Sequence, residues 1–100
     1  ILKRGELDID TGRRVVERAG RRIDLTTLEF DLLVFLASRP GHVYSREALM
    51  DHVWGDDRMV DTRSIDSLVS RLRRKLTKES GDADCIQTVW GAGYRFSETS

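Results

Sequence analysis

Residues 62–78 carry two faces of opposite character, and a fold that buries one must expose the other. Ile65, Leu68, Val69, Leu72 and Leu76 fall at the i, i+3, i+4, i+7, i+11 spacing of a buried helical stripe. Opposite them lie Arg63, Ser67, Ser70 and Arg74, with Ser64, Arg71 and Lys78 on the flanks. Six basic side chains (Arg63, Arg71, Arg73, Arg74, Lys75, Lys78) stand here against one acid, Asp66. A helix rises ~1.5 Å per residue and is ~10–12 Å wide, so this segment is a rod more than ~20 Å long. That width matches a DNA major groove of ~12 Å. A solvated amphipathic helix would carry the same pattern, so the rest of the chain has to decide.

One hundred residues with 39% hydrophobic content fit a single domain able to bury a core. The formal charge is zero, so no global field draws the chain toward polyanions. The charge is segregated instead. Residues 47–61 hold five acids (Glu47, Asp51, Asp56, Asp57, Asp61) against Arg58, directly before the basic helix, and Glu79, Asp82 and Asp84 follow it. Such flanking acids confine any contact with phosphates to one surface. Cys85 is the only cysteine, which excludes an internal disulfide and suits a reducing compartment. No apolar run approaches the ~18 residues of a membrane span, and no signal-peptide pattern occurs. The expected setting is cytoplasmic, with no membrane partner. The chain opens at Ile1 without a methionine and is expected to be a piece of a longer protein.

Residues 2–25 read as short strands. Leu7 and Ile9 alternate with Glu6, Asp8 and Asp10, Val15-Val16 opens another strand, and Arg22-Ile23-Asp24-Leu25 a further one. Turns fall at Asp10-Thr11-Gly12 and Ala19-Gly20, so two hairpins or a four-stranded antiparallel sheet are expected. Arg13, Arg14, Arg18, Arg21 and Arg22 read as solvated strand and turn residues. Thr26-Thr27-Leu28-Glu29 is a capping box that starts a first helix. Its stripe is Leu28, Leu32, Phe35 and Leu36, widened by Phe30, Leu33 and Val34, and Pro40-Gly41 stops it. His42-Val43-Tyr44 is a short extended piece. Ser45 caps a second helix running to about Val53, with Ala48, Leu49 and Val53 facing inward. Residues 86–90 and 94–96 form a hairpin across Gly91-Ala92-Gly93.

Nothing points to catalysis or metal binding. His42 and His52 fall on different elements, and neither a phosphate loop, a nucleophile elbow nor a metal-spaced His/Cys cluster occurs. The expectation is a non-enzyme with no cofactor and no metal.

Two helices, an acidic loop, a basic helix and a hairpin make an α+β winged helix-turn-helix: an N-terminal four-stranded antiparallel sheet, three helices and a C-terminal β-hairpin wing. The motifs are Leu25-Thr26-Thr27-Leu28-Glu29-Phe30-Asp31-Leu32-Leu33, Val43-Tyr44-Ser45-Arg46-Glu47-Ala48-Leu49 and Val53-Trp54-Gly55. Then come Val60-Asp61-Thr62-Arg63-Ser64-Ile65-Asp66, Ser70-Arg71-Leu72-Arg73-Arg74-Lys75-Leu76 and Gln87-Thr88-Val89-Trp90-Gly91-Ala92-Gly93-Tyr94-Arg95-Phe96. In this order they resemble the winged-helix effector domain of OmpR/PhoB-class bacterial response regulators over essentially the whole chain.

The resemblance implies sequence-specific binding of double-stranded DNA on direct-repeat half-sites, as the transcriptional output of a two-component phosphorelay. It implies an N-terminal receiver domain, absent from this chain. It also implies contact with RNA polymerase through the loop Gly55, Asp56, Asp57, Arg58, Met59, Val60 and Asp61. Carried over by position, the third helix supplies Arg63, Ser64, Ser67, Ser70, Arg71, Arg73 and Arg74 as DNA-binding residues. Arg71 and Ser67 are expected at base edges, and Arg63, Ser64, Arg73 and Arg74 at phosphates, with an intramolecular pair with an acid as the alternative for Arg73. Trp54 resembles the family's phosphate-contacting indole, while Thr88 and Tyr94 are expected to touch backbone from the wing, the alternative for Tyr94 being a ring that plugs the core. The third helix is expected in the major groove and the wing on the adjacent backbone or minor groove. Two positions depart from the pattern. Trp90, although among the expected DNA-binding residues, stands where some members place a minor-groove arginine, and Leu68 where some present a polar residue. The rival expectation is a winged helix that binds another protein through the same helix, which a near-neutral total charge permits.

Overall fold

Strand alternation in the N-terminal segment aligns its apolar residues into one row. In the computed structural model, which describes residues 1–55, 61–77 and 85–98, strands β1 (Leu2–Arg4), β2 (Leu7–Asp10), β3 (Val15–Arg18) and β4 (Arg21–Ile23) pair antiparallel in chain order. The register places Leu2, Ile9, Val16 and Ile23 side by side on the inner face, and Lys3, Asp8, Glu17 and Arg22 on the outer one. Ala19 and Gly20 both take positive φ (50° and 83°), the tight turn that reverses the chain between β3 and β4. The four-stranded alternative is therefore the one adopted.

The same two-residue period corrects the reading of one arginine. Arg18 shares the inner face with Val16, so its side chain is only 13% exposed. It donates to the Leu76 carbonyl at the end of the basic helix and lies 3.6 Å from Glu6. Arg14 is also engaged: it pairs with Asp31 at 3.0 Å and sits over the Phe30 ring. Arg18 is therefore an inward-facing tie between layers, whereas Arg14 remains exposed in its turn, as expected, while pairing with Asp31.

Helix α1 (Thr27–Ala37) starts at the expected capping box: the Thr26 hydroxyl accepts from the Glu29 amide, and the Glu29 carboxylate accepts from the Thr26 amide at 2.9 Å. Phe30, Leu32, Leu33, Leu36 and Ala37 are buried, so the helix is sunk into the core on most sides. Leu28 and Phe35 lie at its margin, and Phe35 is covered by Tyr44 and a stacked His52. Helix α2 (Arg46–Trp54) is capped by the Ser45 hydroxyl, buries Leu49, and ends where Gly55 turns to positive φ.

Helix α3 (Thr62–Thr77) is capped by Asp61, whose carboxylate accepts from the Arg63 and Ser64 amides. All five residues of the expected stripe are buried to 1% exposure or less. Strands β5 (Ile86–Val89) and β6 (Gly93–Phe96) form the C-terminal hairpin. Tyr44, from the short extended piece, bridges to Tyr94 through two backbone hydrogen bonds and roots the hairpin beside α2. Gly93 serves that contact as well as the turn, since a Cβ there would fall 1.9 Å from the Tyr44 carbonyl oxygen. Residues Asp56, Asp57, Arg58, Met59 and Val60 of the acidic loop, with Lys78, Glu79, Asp82 and Asp84, lie outside the described residues.

Leu72 is fully buried at the centre of the stripe. Leu72→Ala is expected to cost ~2–5 kcal/mol of stability. Thermal or urea unfolding checks it, and a melting temperature near the wild-type value would contradict this packing.

Candidate nucleic-acid interface

The roll of α3 sorts its polar residues into three groups. Arg63, Ser67, Ser70, Arg71 and Arg74 are exposed, and Ser64 is half-buried at their edge. No acid among the described residues pairs with Arg63, Arg71 or Arg74. Half-buried Trp54, at the end of α2, shares with Arg63, Ser64, Ser67 and Arg71 an open groove of about 410 Å3. Five residues expected from the sequence to act together are thus brought together. The indole N–H is a donor only, which suits an anionic oxygen.

A second group faces the wing. Arg73 donates to the Thr88 hydroxyl at 3.0 Å and approaches the Tyr94 ring, so its guanidinium is committed within the fold. The intramolecular alternative expected for Arg73 is seen here through the Thr88 hydroxyl. Thr88 accepts this bond and keeps its own O–H to donate. Tyr94 is 9% exposed, with its ring in the core and its hydroxyl donated to Asp66 at 2.7 Å. Its single donor is therefore spent internally, and the core-plugging alternative is the arrangement seen. Burial and that bond to Asp66 both push the Tyr94 hydroxyl pKa up. Trp90 projects from the hairpin tip and is 91% exposed.

The third group is internal. Lys75 reaches back to the buried Glu29 carboxylate at 2.6 Å, so one carboxylate both caps α1 and holds the C-terminal part of α3. Burial alone would raise the Glu29 pKa, but the bonds from Lys75 and Thr26 outweigh it and hold the group below its ordinary value. Asp66, the one acid of α3, is paired with both nitrogens of the Arg46 fork and with Tyr94. Burial raises its pKa, and the bonds from Arg46 and Tyr94 more than reverse that shift. The acid is thereby neutralised and turned away from the cationic face.

Sequence reasoning missed this Arg46–Asp66–Tyr94 junction, which joins α2, α3 and β6. Its members are 20 and 28 residues apart, and no local pattern marks such a pairing. The Asp61 cap was readable: an aspartate directly before a basic amphipathic run carries that signal.

Asp66→Asn keeps the side-chain shape and removes the charge. It is expected to cost about 1 kcal/mol at neutral pH, the scale of a partly exposed ion pair. Because the folded pKa of Asp66 lies below its usual 3.8, its contribution is fully present above that value and lost as pH falls through the lower, folded one. The variant should therefore lose less stability than wild type as the solution is acidified below about pH 4. Parallel unfolding curves of the two proteins down to pH 2–3 would refute the linkage.

The family model for "Transcriptional regulatory protein, C terminal" matches residues 20–96. The DNA-binding response regulator MtrA of Mycolicibacterium smegmatis is 42% identical over 95 residues, 95% of this chain and 42% of that protein. The phosphate regulon transcriptional regulatory protein PhoB of Rhizobium meliloti is 46% identical over 94 residues, 94% of this chain and 41% of that protein. The DNA-binding domain of response regulator AdeR, solved in complex with an intercistronic region, superposes with a TM-score of 0.85 at 30% identity. That match covers 97% of this chain and 98% of the AdeR chain. The chain spans about two fifths of the length of the curated relatives it matches. With its sheet, three helices and C-terminal hairpin in the same order, the chain belongs to the C-terminal effector-domain family of OmpR/PhoB-type response regulators.

Proposed function

We propose that this domain binds double-stranded DNA in a sequence-specific manner and is the transcriptional output of a two-component response regulator. The observation that carries the reading is the bare cationic face of α3: Arg63, Arg71 and Arg74 exposed among small serines, with Asp66 drawn aside by Arg46. In a protein of near-zero net charge, this local segregation supplies the field that attracts phosphate. The helix lies in the major groove, where Arg71 pairs with guanine O6 and N7 and Ser67 lets the backbone approach a thymine methyl. Arg63, Ser64, Ser70 and Arg74 hold phosphates and set the register. Trp54 donates its indole N–H to the backbone on one flank, and the Thr88 hydroxyl does so from the wing.

The resolved complex of the AdeR domain with DNA supports this reading. In the whole protein a receiver domain precedes this one, and paired domains occupy direct-repeat half-sites. The segment from Gly55 to Asp61 is the proposed RNA polymerase contact, although residues 56–60 lie outside those described.

Anisotropy titration against duplexes selected from a random library tests the reading. Neutralising ~5 phosphates gives a slope of log K against log salt near −4 to −5. A flat slope, or no duplex binding at low salt, would turn the helix over to a protein partner. Arg71→Ala is expected to relax preference at one base position at a cost of ~1–3 kcal/mol, whereas Arg74→Ala weakens all sequences alike. Selection experiments on both variants separate these outcomes, and identical behaviour would refute the assigned roles.

A further inference from the structure

The chain contains two tryptophans, and they bracket the recognition helix. Trp54 lies in the groove with Ser64, Ser67 and Arg71 on one flank of α3. Asp66 and Arg73 point to the other flank, where they hold Tyr94 and Thr88 of the wing. At ~100° per residue these two positions are ~20° apart and roughly 80° around from the centre of the exposed face. A duplex seated on that face has one sugar-phosphate ridge beside Trp54 and the other beside the wing. The hairpin tip then overhangs the groove beyond that ridge, which is the minor groove.

Trp90 is the most exposed large apolar side chain among the described residues, and it is firmly presented. The Val89 carbonyl accepts from the Ala92 amide and closes the turn, Tyr44 pairs with Tyr94 along the backbone, and Arg73 and Asp66 hold Thr88 and Tyr94. The tip residues Val89, Trp90, Gly91, Ala92 and Gly93 carry no charge. The nearby Arg95 is engaged with Gln87 at 2.9 Å, so it does not supply one there. Glycine and alanine on one side of the indole keep the tip slim enough for a groove ~6 Å wide.

We propose that Trp90 is a specificity-determining apolar wedge: its indole enters the minor groove beside the site read by α3 and favours steps that unstack easily. This rests on the major-groove placement of α3. Wedges of this kind partially open base steps, and pyrimidine–purine steps yield most readily. Because the contact is apolar, it adds affinity without adding to the salt slope.

The test uses the 100-residue chain and a duplex selected by the wild-type protein, cut to a single site. Trp90→Ala is expected to keep its melting temperature, since the side chain is 91% exposed. Its affinity should fall about tenfold, the scale of one lost aromatic stacking contact, with an unchanged salt slope. Hydroxyl-radical footprints should lose one patch of protected sugars in the flanking minor groove, while dimethyl sulfate protection of guanine N7 persists. Trp90→Arg should recover affinity with a slope steeper by about one. Wild-type affinity and footprint in Trp90→Ala would overturn the wedge and leave the reading of α3 standing. A loss seen only on duplexes with two sites would also overturn it, since the indole would then be touching a neighbouring protein copy. Failure of the wild-type chain to bind any duplex would overturn both readings together.

Discussion

Burial of Ile65, Leu68, Val69, Leu72 and Leu76 sets the roll angle of α3, and the rest of the structure is arranged around that angle. A helix that buries this stripe must turn Arg63, Ser67, Ser70 and Arg74 outward, because they lie opposite on the same cylinder. α1 and α2 both pack against α3 from behind. Large apolar side chains therefore fix where the charges point. Fully buried leucines cannot rotate into solvent without losing roughly 2 kcal/mol or more each, so the cationic face is held by the core beneath it.

Charge pairing then decides which cations remain available. Lys75 is bound to Glu29, Arg18 to the end of α3, Arg14 to Asp31, Arg46 to Asp66 and Arg73 to the wing. Each contact joins different elements, so the three ion pairs, which neutralise charge, and the two hydrogen bonds to neutral oxygens all brace the layers. What is left on α3 is a compact set of three guanidinium groups, with serines between them and no acid in line. The wing is braced in the same way, by Tyr44 along its backbone and by Asp66 and Arg73 through its side chains. Trp54 and Trp90 end up on opposite flanks of one helix because α2 and the hairpin pack against its two sides.

Much of the fold was legible because its signals are local. The capping box at Thr26 and Glu29, the Ser45 cap, the stop at Gly55 and the glycine-bracketed hairpin each depend on residues within a few positions of one another. The period of α3 was equally plain, and every member of its stripe is buried. Arg18 was misread because an arginine on a short strand looks solvated whichever face it occupies. Only the register, with Val16 beside Ile9 and Ile23, turns Arg18 inward. The bonds of Arg73 to Thr88 and of Tyr94 to Asp66 were not legible for a related reason: the partners belong to other elements.

The sequence alone determined the number and kind of elements, the polarity of each face, and the grouping of Trp54 with Arg63, Ser64, Ser67 and Arg71 as candidates for one surface. The elements and their faces follow from periodicity and capping, which act over a turn or two of chain, while the place of Trp54 in that group is what the family resemblance implies. The tertiary structure decided which charges are spent and which are free. Glu29 and Lys75 are 46 residues apart, and Arg18 and Leu76 are 58. Electrostatic pairing depends on distance in space, and only the packing of the layers brings those groups within reach.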